Sequence, residues 1–201
     1  MSAPSIRPRL LHPLIVRLTH WLNAIAVIVM IGSGWQIYNA SPILPFAFHA
    51  AVTIGGWLGG ALLWHFAAMW LVMGNLAIYL LYGLASGRLR RKLLPLSPRA
   101  LAADLVAALK GRLAHDDLSR YNAVQRAFYL GVIAALVLVV LSGLAIWKPV
   151  QLQPRAALFG GFAGARIVHF LAMTAIVLFI LVHVAMALLV PRSLRAMLRG
   201  Y

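Results

Sequence analysis

Four apolar runs constrain this 201-residue chain more than any other feature. Residues 13–38, 61–85, 127–147 and 166–190 are each long enough to cross a bilayer, which takes about 20 mostly apolar residues. Lys148-Pro149 closes the third run and Pro191 the fourth. Pro13 suits the first turn of a helix. The second run is the tail of a longer apolar stretch, 52–85, that would measure about 51 Å as one helix. That is too long for one crossing and too short for two. With its Gly55-Gly56 and Gly59-Gly60 pairs, 50–60 reads as a bent or interfacial lead-in. The hydrophobic share is 63% and the charged share 10%, so the chain cannot cover its own surface with polar groups. The bilayer must act as part of its solvent, and the fold class expected is all-α, an integral membrane four-helix bundle.

The charges then orient the bundle. Lys and Arg number 18 against three acids, for a net charge of +15. Arg7, Arg9 and Arg17 precede or open the first span. Nine more, from Arg88 to Arg126, lie in the 86–126 loop, and Arg192, Arg195 and Arg199 follow the fourth span. Only Lys148, Arg155 and Arg166 fall on the other side, and 39–48 carries no charge. The positive-inside rule therefore predicts both termini in the cytoplasm of a bacterial inner membrane. The N-terminus lacks a cleavage pattern for a signal peptide. Residues 98–110 read as a short amphipathic helix on the cytoplasmic surface. Scattered loop charges suit anionic lipid rather than a nucleic-acid face.

Absences narrow the chemistry. Without cysteine there are no disulfides, thiolate nucleophiles, iron–sulfur clusters or covalent haem attachment. There is no glutamate, and Asp104, Asp116 and Asp117 cluster in one short stretch. No acid pair can straddle a substrate or relay protons through the membrane. A channel or transporter would need a continuous polar pathway that the spans do not supply. Seven histidines remain: His12, His20, His49, His65, His115, His169 and His183.

Depth sorts them. His183 lies seven residues before the cytoplasmic end of the fourth span, and His20 about six residues into the first, so the two share a level. His169 is fourteen residues before His183, about 21 Å higher, and within 40° of the same helix face. His169 is 21 residues from the cytoplasmic end of its span, and counting 21 back from Ser86 along the second span reaches His65, whereas His49 would lie beyond any hydrocarbon core. Two levels with two imidazoles each suit two bis-His haem irons stacked across the membrane. Zinc fits worse, because each level offers two ligands where zinc takes three or four. Each ring needs a partner for its other nitrogen, here a hydroxyl or a backbone carbonyl. Gly34 shares the face of His20 at the upper level and leaves room for a haem, as do Gly32, Gly131 and Gly143. His12, His49 and His115 lie near loops or interfaces and read as non-functional. The tryptophans read as belt or packing residues, and the methionines as gap fillers.

The motifs resemble the bacterial cytochrome b561 / nickel-hydrogenase cytochrome b family, which includes the cytochrome b subunit of formate dehydrogenase. They are His20-Trp21, Gly32-Ser33-Gly34, Arg120-Tyr-Asn-Ala-Val-Gln125, Ser142-Gly-Leu-Ala-Ile-Trp147, the His169/His183 pair and Pro191-Arg-Ser-Leu-Arg195. Only 41–60 falls outside the resemblance. It implies two b haems, one held by His20 and His183 on the cytoplasmic side and one by His65 and His169 on the periplasmic side. It also implies a quinone site at Asn122 and Gln125. Arg17 and Arg126 below, with Arg166 or Lys148 above, would pair haem propionates, or else snorkel as interfacial cations. His65 sits in Leu63-Trp-His-Phe66, where the formate dehydrogenase subunit has Pro and Gly after its histidine. Residues 46–64 are similar to the version found beside molybdopterin oxidoreductases of the sulfite-oxidase type.

The expected function is electron transfer between the quinone pool and a periplasmic redox subunit, with self-association in the membrane left open. The alternative is a free-standing quinone oxidoreductase fed by a small external donor such as superoxide, which the cations Lys148, Arg155 and Arg166 would draw in.

Overall fold

The computed structural model describes residues 11–110 and 121–200. Arg7, Arg9, Arg112, His115, Asp116, Asp117 and Arg120 lie outside the described residues. Among the described residues there are helices and turns but no strand. Four helices are long and apolar enough to cross a membrane: α1 (Leu14–Ala40), α2 (Leu58–Ala85), α5 (Ala123–Trp147) and α7 (Gly161–Leu189). Shorter helices join or follow them: α3 (Arg88–Leu93), α4 (Pro98–Leu109), α6 (Gln153–Leu158) and α8 (Pro191–Arg199).

The long helices pair as two hairpins, α1 with α2 and α5 with α7. Small residues let them approach closely: Ala26, Ser33, Ala61, Ala68, Ser142, Ala145, Ala165 and Ala172 are all buried. Many of the large apolar side chains face outward instead, among them Ile25, Leu63, Leu81 and Leu171. That is the inverse of a water-soluble core and the pattern of helices packed in lipid. Leu76, Leu136 and Ile176 meet at the centre, with Val27, Val132 and Ile180 packed around them. Ile176 is seven residues from both His169 and His183, so this apolar layer lies midway between them.

The long apolar stretch before α2 divides at Trp57. Ahead of it, residues 41–57 fold back over the end of α1, with one 3-10 turn at Ala50–Val52. Asn39 clasps Phe48 from both sides, its amide donating to the carbonyl and accepting from the N–H, each at 2.8 Å. Phe48 stacks on Trp35 at 4.6 Å, and Tyr38 stacks on Phe170 at 5.2 Å. Gly55 has φ 109°, a left-handed conformation that side chains rarely adopt, and any Cβ there would strike the backbone of Ala61. The lead-in is thus a bent cap, and α2 begins at Leu58, three residues earlier than the sequence pattern implied. Gly32 serves this cap: its carbonyl accepts from Ile54 N–H at 3.0 Å, and a Cβ would lie 2.8 Å from the Ile54 side chain.

At the opposite end, here called the lower end, the described chain ends meet. Leu11 and His12 N–H groups both donate to the Gly200 carbonyl, at 2.8 and 3.2 Å. Arg17 donates through Nε to Met197 at 3.2 Å and through Nη2 to the Leu198 carbonyl, capping the last turn of α8. Arg88 donates to the Leu11 carbonyl at 3.2 Å.

Candidate cofactor-binding site

The four intramembrane histidines form two facing pairs. The His20 and His183 rings, on α1 and α7, have centres 5.9 Å apart. The His65 and His169 rings, on α2 and α7, have centres 6.4 Å apart. Because α7 is uninterrupted, its two histidines stand about 21 Å apart along the axis. An imidazole nitrogen bonds a first-row metal at about 2.0–2.1 Å with its ring centre roughly 1.1 Å behind, so a metal clasped by two rings separates their centres by about 6.3 Å. Both pairs stand near that separation. No group of three or more His, Cys, Asp or Glu gathers among the described residues. Each level therefore offers two imidazoles spaced to share one metal, a donor set that would suit a bis-His haem better than a tetrahedral ion.

The upper pair is buttressed by two serines whose role the motifs alone did not reveal. Ser33 Oγ lies 3.0 Å from His65 Nδ1, and Ser142 Oγ lies 3.2 Å from His169 Nδ1. Each serine is fully buried, and each hydroxyl donates to the carbonyl four residues back, Val29 at 2.6 Å and Leu138 at 2.7 Å. A glycine follows each one. A Cβ on Gly34 would stand 3.4 Å from His65 Cε1, and one on Gly143 would stand 3.1 Å from His169 Cε1. These two glycines accommodate the imidazoles themselves. A Cβ on Gly131, by contrast, would meet nothing within 4 Å. The repeated Ser-Gly dipeptide was the signal for this arrangement.

The lower pair has aromatic neighbours instead. Trp21 meets His20 edge-on at 5.2 Å, and Phe179 stacks on His183 at 5.5 Å. Tyr129 stands 6.4 Å from Phe179, and Tyr121 stands 4.9 Å from Tyr129. Asn75 on α2 donates to the Thr19 carbonyl at 2.6 Å, beside His20. Asn23, one turn above His20, has a buried Oδ1 without a hydrogen-bond donor among the described residues. An orphaned acceptor in a membrane interior is costly, which marks this level as built around something polar.

Asn122 and Gln125 form a capping box at the start of α5. Asn122 Oδ1 accepts from Gln125 N–H at 2.7 Å, and Gln125 Oε1 accepts from Asn122 N–H at 3.1 Å. Asp104 on α4 adds its Oδ2 to the Ala123 N–H at 2.7 Å, placing a negative charge at the helix N-terminus. Arg126 closes the corner, donating to Tyr121 and Pro95 carbonyls, each at 3.0 Å. Pro95, Asp104, Tyr121, Asn122 and Arg126 line an open cavity of about 340 Å³. Burial raises the Tyr121 phenol above its ordinary range.

The other expected residues have local partners. Arg166 donates to the Ser41 carbonyl, tying α7 to the upper cap. The Lys148 ammonium sits 5.0 Å over the Trp147 ring. His49 caps the 3-10 turn by accepting from Ala51 N–H at 3.2 Å. His12 lies 3.5 Å from Arg88, and burial, with that guanidinium second, lowers it to a pKa of about 4.

The sequence profile of prokaryotic cytochrome b561 matches residues 11–200. The chain belongs to the prokaryotic cytochrome b561 family. It is also 56% identical over 191 residues to an Azospira oryzae protein whose name reads "Putative protein-methionine-sulfoxide reductase subunit YedZ1", covering 95% of this chain and 96% of that one. As a family member with four spanning helices, it is a multi-pass membrane protein that carries haem b and transfers electrons. The facing histidines suit that cofactor in donor type and spacing.

Proposed function

We propose that this cytochrome b561 holds two b haems, one per histidine pair, and moves electrons between the quinone pool and a periplasmic redox subunit. The observation that carries the reading is the pair of ring separations, 5.9 and 6.4 Å, at two depths of one bundle. Haem supplies reversible one-electron chemistry when bound. The chain's own part is to present neutral imidazoles, keep the layer around Leu76, Leu136 and Ile176 dry, and set the spacing. Gly34 clears the His65 ring on the side facing α1. Arg17, one turn below His20, keeps Nη1 for a propionate while its Nε and Nη2 hold α8. The basic residues near the lower end support a cytoplasmic location for both termini.

The quinone reading draws on the cavity beside Asn122. The capping box uses the carbonyl oxygens of Asn122 and Gln125, so their side-chain N–H donors stay available for a quinone carbonyl. The relative's name supports a partner: a protein-methionine-sulfoxide reductase, with this chain as its membrane subunit. The free-standing alternative drew on Lys148, Arg155 and Arg166 as an external funnel. Lys148 and Arg166 keep their charge in their contacts with Trp147 and Ser41, so what favours the partnered reading is the relative's name, which is that of a subunit.

The test is a pyridine haemochrome assay on detergent-purified protein, with reduced-minus-oxidised spectra. Two b haems per chain are expected, both reducible by a quinol in membranes. One haem or none after full haem supply would end the two-haem reading. Co-purification of a periplasmic reductase separates the partnered from the free-standing version.

A further inference from the structure

Ser33 and Ser142 occupy matching places in the two hairpins. Each precedes a glycine, each sits on the first helix of its hairpin, and each meets a histidine on the second. A serine hydroxyl has a single proton. With that proton on the Val29 or Leu138 carbonyl, Oγ can meet Nδ1 only as an acceptor. Nδ1 therefore carries the ring proton, and Nε2 keeps its lone pair. His20 and His183 have no such acceptor among the described residues; their ring neighbours are Trp21 and Phe179.

We propose that Ser33 and Ser142 are positioning residues that give the two levels unlike redox character. An acceptor on Nδ1–H pulls the ring toward imidazolate and strengthens donation through Nε2. Stronger donation stabilises the more oxidised metal. The serines thus lower the reduction potential of the upper centre relative to the same centre without them, and leave the lower centre unaffected. The proposal rests on the two-haem reading above. It goes beyond ligand assignment, because it concerns hydroxyls that touch neither metal nor substrate.

The tests are redox titrations, followed by haem absorption, on the full-length wild type and on Ser33→Ala, Ser142→Ala and the double variant. Ser33→Cys and Ser142→Cys accompany them, since cysteine keeps the volume but is a weak acceptor. The serines touch no metal and all four imidazoles remain, so haem content stays at two. One of the two midpoint potentials moves to a more positive value in each single variant and further in the double, while the other stays in place. The cysteine variants shift the same midpoint in the same direction, and they decide the matter if an alanine variant sheds haem. Unmoved midpoints with haem retained, or both midpoints moving together, would overturn the proposal. So would cysteine variants indistinguishable from wild type. Two haems with unmoved potentials refute the role of the serines alone; a wild type with fewer than two haems refutes the parent reading and this one together.

Discussion

The two histidine levels use the same residue type and differ in nearly everything around it. Above, each ring is seated between a serine hydroxyl and a glycine, on small-residue faces where helices approach closely. Below, the rings lie against Trp21 and Phe179, next to a tyrosine row, a helix-capping corner and the meeting chain ends. Rigid polar seating costs little where both helices of a hairpin are already in contact. Each histidine pair joins α7 to the other hairpin, through α2 above and α1 below, but the lower rings have no serine seat and border the polar surface. The same pair of imidazoles is thus seated by hydroxyls and glycines at one depth and by aromatic rings at the other.

Ligand deletion breaks the comparison most directly. His65→Ala is expected to halve the haem per chain by emptying the upper level, and His20→Ala to halve it by emptying the lower. His49→Ala should leave the content whole, since its ring caps a turn. Haemochrome content measures all three, and loss of haem in the His49 variant would refute the depth assignment.

Crowding the upper seat comes next. Gly143→Val places a Cβ 3.1 Å from His169 Cε1, with further methyls beyond, and should displace the ring and strip upper haem. Gly131→Val, on the same helix with open space around it, should not. Equal haem content in both would mean that the seat is not tight.

The capping corner gives a smaller effect. Asn122→Ala removes one half of a capping box, worth about 1 kcal/mol, and should lower the melting temperature by a few degrees. Asn122→Asp keeps the oxygen that caps but removes the amide donors. If the cap is the sole role of Asn122, the aspartate variant oxidises quinol like wild type; if the amide also serves quinone, it slows with stability intact.

The smallest effect is a pH dependence at the lower end. The folded state holds His12 at a pKa of about 4, below its ordinary 6.5. Its contribution is complete above pH 6.5 and is lost as pH falls toward 4, because the unfolded chain takes up a proton that the native one refuses. The half-buried setting keeps this slight. Thermal unfolding between pH 7 and 5 should fall less steeply in His12→Gln than in wild type, and parallel slopes would dismiss the assignment.

Much of this was readable along the chain. Helix count, span positions and the sharing of levels by His20 with His183 and His65 with His169 follow from apolar run length and a fixed rise per residue, both local. The capping box was open to reading too, at the spacing of Asn122 and Gln125 before an apolar run, although only a quinone role was expected there. Asp104 was not. It reaches the N-terminus of α5 from nineteen residues away, across a fold between two helices. Arg17 shows the same limit: its position suggests an interfacial cation, but its partners are carbonyls at the far end of the chain.

The sequence alone determined that this chain must lie in a bilayer, offer it four spanning runs and, lacking cysteine and glutamate, lean on imidazole for any metal. Those conclusions depend on what is present and at what interval. Only the tertiary structure decided which second partner His65 and His169 have, because a hydroxyl 32 or 27 residues away becomes a neighbour only when two helices pack. Hydrogen-bond direction, and with it the difference between the two levels, belongs to that packing.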